Sequence, residues 1–315
     1  MVAQRRMAST RQTYGETLLE MADSFPDIVV LGGDLNVSVF THLWRDKYPE
    51  RFFDFGPAEQ NLVGVGAGLA ANGKIPFVST FSVFGVGRPF DQLRVLVSQG
   101  NLNMKLVCTH AGILTGEDGM SAHGIEDLSL ICSLPAFTVV SPADSVETVQ
   151  AIKTAASVDG PFYIRLSRAA TPVVHEDDYQ FKLGKAEEIR EGSDVTIFAT
   201  GVMVSVSLDA ADMLASQGVA ARVVNIHTLK PVDEEAIIAG ARETGAVVSA
   251  EEHYFHGGLG SIVAQVVGQN HPVPVEMVAL QGYSESARAE ELMVKCGLTP
   301  EKVRDAALKA VARKK

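Results

Sequence analysis

Residues 105–144 read KLVCTHAGILTGEDGMSAHGIEDLSLICSLPAFTVVSPAD, and the order of patterns within this stretch decides the fold. The apolar, β-branched run 105–109 predicts a strand, and the glycine-rich polar segment after it predicts a loop. A helical period over 125–133 follows, then a strand over 136–140 and the turn SPAD, which leads into a helix over 145–157. Strand, helix and strand in this order argue for parallel strands joined by crossovers. Upstream, the alternation runs through a helix at 11–24, a strand at 27–31 ending in Gly32, Gly33 and Asp34, a helix at 59–72, a strand at 75–80 and a helix at 89–99. Downstream it continues with a strand at 161–165 and then breaks at 171–193, where TPVVHEDDYQ and KAEEIREGSD read as a connector. A second block alternates strands at 195–200, 221–226, 246–250 and 273–278 with helices at 204–217, 234–244 and 258–268. The expected architecture is α/β throughout: a parallel-sheet domain over 1–170, a connector over 171–193 and a smaller parallel-sheet domain over 194–315.

The bulk properties agree. A chain of 315 residues is long enough for two domains of ~100–200 residues each. Hydrophobic residues at 46% and charged residues at 21% give an ordinary globular balance. Lys and Arg number 27 against 38 Asp and Glu, a net charge of −11, which argues against nucleic acid and anionic membrane as partners. Three cysteines, Cys108, Cys132 and Cys296, form no C-x-x-C pair, so neither a disulfide framework nor a cysteine-based zinc site is implied. No stretch approaches ~18 uninterrupted apolar residues and the first residues carry no apolar leader, so the expected location is the cytoplasm.

Each chemical motif has a plain structural alternative. Gly64, Gly66, Gly68 and Gly73 hint at a dinucleotide fingerprint, but Leu69 stands where the third glycine belongs; close helix packing explains the small residues as well. Glu59, in FGPAEQN, is either a carboxylate at a helix N-terminus or a functional acid. The loop 109–128 holds His110, Asp118 and His123 just past a strand, where parallel α/β folds place ligands. A zinc site there lacks a recognised spacing, and His123 also fits as a helix-start residue. Arg168 lies past another strand end and suits a phosphate or carboxylate, or an ion pair with the acidic connector. Phe81 and Phe84 fit a helical core face or a cofactor slot, and no G-x-S-x-G supports a serine triad.

Taken jointly, these segments resemble the carboxy-terminal half of transketolase. The pieces occur in that family's order: GGDLNVS at 32–38, FGPAEQN at 55–61, STFSVF at 79–84, RPFDQLR at 88–94, THAGILTGEDG at 109–119, SLPAFTVVSPAD at 133–144, LSR at 166–168, HTLKPVD at 227–233 and EEHYFHGGLG at 251–260. The resemblance implies a pyrimidine-binding domain of thiamine diphosphate enzymes followed by a transketolase C-terminal domain. It implies that Glu59 hydrogen-bonds N1′ of the aminopyrimidine, so that the ring's imino nitrogen becomes the base for the thiazolium proton. Phe81 and Phe84 would wall that ring, and Asp34 and Leu35 would line the cofactor pocket. His110 would contact substrate oxygens with a catalytic role, Asp118 a substrate hydroxyl, and Arg168 the terminal group of a sugar phosphate; His123 joins them at the substrate. The implied reaction moves a two-carbon ketol unit from a ketose donor to an aldose acceptor. Departures are Gly87 in place of a third aromatic, SAHG in place of T-H-Q-P, which displaces His123 by one position, and Ala111 in place of an acid.

The family holds the diphosphate through Mg²⁺ with a G-D-G motif and a following Asn, a hard-cation site of oxygen ligands, and no GDG occurs here. No metal ligand is therefore expected on this chain. The resemblance implies one subunit of a split transketolase, paired with an N-terminal, GDG-bearing chain in an α2β2 heterotetramer. Two alternatives share the fold: the beta subunit of a thiamine-dependent 2-oxoacid dehydrogenase, against which LSR, GEDG and SLP stand, and a non-catalytic, degenerate partner subunit. A deoxyxylulose-phosphate synthase normally keeps both cofactor domains in one chain.

Overall fold

The structure, a computed structural model, describes residues 5–314. Its strands in chain order are β1 Met7–Ala8, β2 Ile28–Gly32, β3 Phe52–Asp54, β4 Ile75–Phe81, β5 Lys105–Thr109, β6 Thr138–Val140, β7 Phe162–Arg165, β8 Thr171–Pro172, β9 Glu187–Arg190, β10 Val195–Ala199, β11 Ala221–Asn225, β12 Thr228–Lys230, β13 Val247–Tyr254 and β14 Val275–Leu280. Seven of them make the first sheet, in the order β12-β6-β7-β5-β4-β2-β3, and five the second, in the order β14-β13-β10-β11-β9. Every residue of β2, β5 and β10 is buried, as expected for parallel strands covered by helices on both faces.

Each sheet also carries one antiparallel edge strand that the periodicity did not announce. β9 lies inside the stretch read as a connector and pairs with β11. Its sequence, EEIR, is polar because an edge strand buries little. β12 comes from the second half of the chain yet pairs with β6 of the first sheet. The helix expected at 89–99 forms as a short turn, Phe90–Gln92, followed by a π-helical segment, Leu93–Ser98. Helices at His42–Lys47, Ser82–Gly87, Ala289–Lys295 and Pro300–Ala312 were not anticipated.

The two halves share an apolar layer. Leu128, Ile131, Phe137 and Val139 pack in one cluster with Phe198, Ile226, Leu259 and Val263. Beside it Arg165 Nε donates to Asp127 Oδ2 at 2.8 Å, Tyr163 donates its hydroxyl to the same oxygen at 2.6 Å, and Arg165 Nη2 reaches the Glu252 carbonyl at 2.9 Å. Among the described residues no helix is long and apolar enough to cross a membrane.

Candidate active site

Glu59 opens the helix Glu59–Ala71 and is 4% exposed. Asp54, at the end of β3, fixes the approach to it. Its Oδ1 accepts from the backbone N–H groups of Asp34 and Gly56, both at 3.0 Å, and its Oδ2 accepts from Asn36 Nδ2 at 2.6 Å. The loop after β2, with Asp34 at φ +73° and Leu35 half-buried, is thereby tied to the turn that leads into Glu59. Glu59 lines a cavity of 510 Å³ with Pro57, Ala58, Gln60, Asn61 and Arg88.

Arg88 engages the carboxylate directly. Nη1 donates to Oε1 at 2.8 Å and to Oε2 at 3.0 Å, and the guanidinium lies 4.2 Å from the centroid of the Phe84 ring. Phe84 in turn stacks with Phe81, centroids 5.9 Å apart and planes 13° from parallel. A flat donor group therefore rests on an aromatic face with its edge on a buried carboxylate. An aminopyrimidine stacks on the same kind of face and shares a proton between its ring nitrogen and the same carboxyl group, so the residues present fit the pyrimidine half of thiamine diphosphate.

His110 follows β5 in a left-handed backbone conformation, φ +57°. Its carbonyl accepts from Thr115 Oγ1 at 2.8 Å, and its ring stacks on Phe81 at 3.5 Å between centroids. Burial, then the Arg11 and Arg168 cations, push its pKa down to about 3, so the imidazole is neutral. Nδ1 sits 2.8 Å from Thr109 Oγ1, leaving Nε2 for a ligand oxygen.

Arg168 Nε stands 3.9 Å from Asp118 Oδ2, both partly exposed. Arg11 Nε donates to the Arg168 carbonyl at 3.0 Å, and its Nη1 to the Ser38 carbonyl at 2.6 Å. Arg11 and Arg168 thus act on the neutral His110 imidazole, with the Asp118 carboxylate beside Arg168. His123 is differently placed: Nε2 is 2.9 Å from the Gly116 carbonyl and Nδ1 is 2.8 Å from Ser284 Oγ, so both ring nitrogens are engaged within the chain. Glu252 anchors the same loop. Its Oε1 accepts from Leu114 N at 2.7 Å, and a Cβ on Gly112, φ +74°, would come within 2.2 Å of that carboxylate. Sequence reasoning missed Arg88, Arg11 and Asp54. Only Arg88 left a signal, four residues after Phe84 on one helical face.

Residues 6–173 match the family described as transketolase, pyrimidine binding domain, and residues 184–303 that described as transketolase, C-terminal domain. The chain is 42% identical to the 6-deoxy-6-sulfo-D-fructose transketolase subunit SqwH of Clostridium sp. (strain MSTE9), over 96% of this chain and 95% of that one. It is 35% identical to one of the subunits of the apulose-4-phosphate transketolase of Phocaeicola vulgatus, over 98% and 99%. A solved structure described as "Split gene transketolase, inactive beta4 tetramer" superposes with a TM-score of 0.91 at 45% identity, over 98% of this chain and 99% of that one. The chain belongs to the transketolase family, in the group of relatives that exist as separate subunits.

Proposed function

We propose that this chain is the pyrimidine-side subunit of a two-chain, thiamine diphosphate-dependent transketolase, without turnover on its own. A GDG-bearing partner would supply the Mg²⁺ and diphosphate half, the pair assembling as α2β2. The observation that carries the reading is the buried Glu59 carboxylate near the stacked Phe81 and Phe84, a constellation that suits a flat heterocycle whose ring nitrogen shares a proton with the carboxyl group. When bound, thiamine diphosphate supplies the carbon nucleophile that moves a two-carbon ketol unit between sugars. Glu59 holds a proton against the ring nitrogen farthest from the thiazolium, and the aromatic pair keeps water from the ring face. Asp34 and Leu35 line the approach. His110, kept neutral by its surroundings, bonds substrate oxygens without adding charge. Asp118 meets a sugar hydroxyl, and Arg168 with Arg11 holds the far end of the substrate. Sulfonate and phosphate, the end groups implied by the relatives' names, are both tetrahedral anions, which arginine side chains bind. His123 supports the loop and leaves the substrate to the others, since its ring is committed at both nitrogens.

A second reading is a subunit that does no chemistry even when assembled, and the relative described as an inactive β4 tetramer favours it. Co-expression with the GDG-bearing chain, followed by an assay of two-carbon transfer from xylulose 5-phosphate and related ketoses, separates the two. Turnover by the pair alone, reduced at least ~100-fold by Glu59→Gln, is expected. Undiminished turnover with Gln removes the proton role, and an assembled pair that binds cofactor yet turns over no ketose establishes the second reading.

A further inference from the structure

The turn that presents Asp118 borrows part of its shape from the second domain. Gly116 and Gly119 flank the residue at φ +72° and +79°, conformations that glycine adopts freely but does not enforce. Gly119 N donates to the Gly116 carbonyl at 3.1 Å, and the N–H groups of Ala122 and His123 donate to the Gly119 carbonyl at 2.9 and 3.2 Å. Against this turn lies the segment SESAR, residues 284–288, between β14 and the helix Ala289–Lys295. Ser286 Oγ donates to the Glu117 carbonyl at 2.6 Å, and Ser284 Oγ is 2.8 Å from His123 Nδ1. The direction of the second bond follows from the far side of the ring. His123 Nε2 lies 2.9 Å from the Gly116 carbonyl and must carry the proton there, so in the neutral ring Nδ1 accepts from the Ser284 hydroxyl.

Two hydroxyls, one directly and one through an imidazole, thus fix the carbonyls of residues 116 and 117. The Glu117 carbonyl shares its peptide plane with the nitrogen and α-carbon of Asp118, so holding that oxygen orients the backbone from which the carboxylate projects. The segment is itself held in place. Glu285 pairs with Lys295 of the following helix, and Ala287 lies so near the turn that a Cβ on Gly116 would come 3.5 Å from its carbonyl oxygen. Glu252, from β13, holds the buried start of the same loop at Leu114, whereas the serines act at its tip, where Ser286 is exposed and Asp118 partly so. The two hydroxyls can therefore be removed without opening a core.

We propose that Ser284 and Ser286 are positioning residues for Asp118, and that through them the C-terminal domain sets how a hydroxyl of the substrate is read. The inference rests on the substrate role proposed above for Asp118. It gives the second domain a share in substrate selection that needs no contact between these serines and the sugar.

The test has two arms, both on the full chain. In the purified chain, the double variant Ser284→Ala/Ser286→Ala should speed amide hydrogen exchange over residues 112–124 at least ~5-fold, with exchange in β5 unchanged; the floor corresponds to two hydroxyl hydrogen bonds at the low end of their usual worth. In the pair co-expressed with the GDG-bearing chain, the same variant should raise KM for xylulose 5-phosphate at least ~5-fold while kcat stays within about 2-fold. In an Asp118→Ala background the serine changes should cost nothing further, because they act through that carboxylate. Unchanged exchange in the turn overturns the positioning, whether or not the pair turns over ketose. Losses that add to those of Asp118→Ala overturn the route through Asp118. A normal KM for Asp118→Ala with both serines in place removes the substrate role of Asp118 and the selection inference with it, a failure told apart from the others because the turn is then still held.

Discussion

Replacing Arg88 by Ala should tighten the binding of thiamine diphosphate to the assembled enzyme. In the chain by itself the guanidinium holds both Glu59 oxygens, at 2.8 and 3.0 Å, and covers Phe84 at 4.2 Å. An aminopyrimidine needs those surfaces, so Arg88 must leave before the ring can enter. The side chain of Arg88 is 51% exposed, which screens the pair toward the ~0–1 kcal/mol of surface salt bridges despite the burial of Glu59. The stacking adds about 0.5–1 kcal/mol at such a site. Binding therefore gives up about 0.5–2 kcal/mol, and Arg88→Ala should lower the cofactor Kd roughly 2- to 30-fold. Loss of the arginine also leaves Glu59 unpaired in the cofactor-free state, which acts in the same direction. Calorimetric titration of the co-expressed complex with thiamine diphosphate and Mg²⁺ reads the effect, with Arg88→Lys as an intermediate control. A weaker Kd for Arg88→Ala would refute the reasoning, because Arg88 would then be a ligand of the cofactor rather than its competitor.

Three further outcomes are expected. Arg168→Ala should raise KM for ketoses ending in phosphate or sulfonate by the ~1.5–3 kcal/mol of a charged hydrogen bond, with little change for uncharged ketoses; equal losses in steady-state assays would take Arg168 out of anion binding. Asp127→Ala strands the buried Arg165 cation, 7% exposed, and should cost about 3–5 kcal/mol in urea unfolding, so a cost under ~1 kcal/mol would contradict the assigned pair. His110 has a folded-state pKa of about 3 against an ordinary 6.5, so between these values the unfolded chain binds a proton that the folded chain refuses. Stability from this group is fully present above pH 6.5 and is lost on acidification toward 3, and His110→Gln should flatten the dependence of unfolding free energy on pH between about 4.5 and 6.5. An identical slope in the variant would show that other groups set the acid response.

What could be read in advance follows from the range of the forces involved. β2, β5 and β10 are announced by local runs of apolar residues because strands buried on both faces must be apolar along their whole length. β9 and β12 escape notice because edge strands answer to their neighbours more than to their own composition. The same division runs through the candidate site. Glu59, Phe81, His110 and Arg168 sit where strands or turns end, a position that sequence order reveals. His123 shows the limit: its ring is held by Ser284, 161 residues away, a contact that no local pattern announces.

The clasp on Glu59 connects these levels. A carboxylate 3% exposed at a helix N-terminus is expensive to keep charged without a partner, so the cofactor-free chain needs a cation or a donor beside it. Arg88 meets that need from 29 residues away through a half-exposed side chain that can swing out. A more deeply buried partner would hold Glu59 as firmly but would resist displacement by an incoming ring. The half-exposure of Arg88 therefore places the energetic cost of freeing Glu59 at the level of one surface ion pair rather than a buried one.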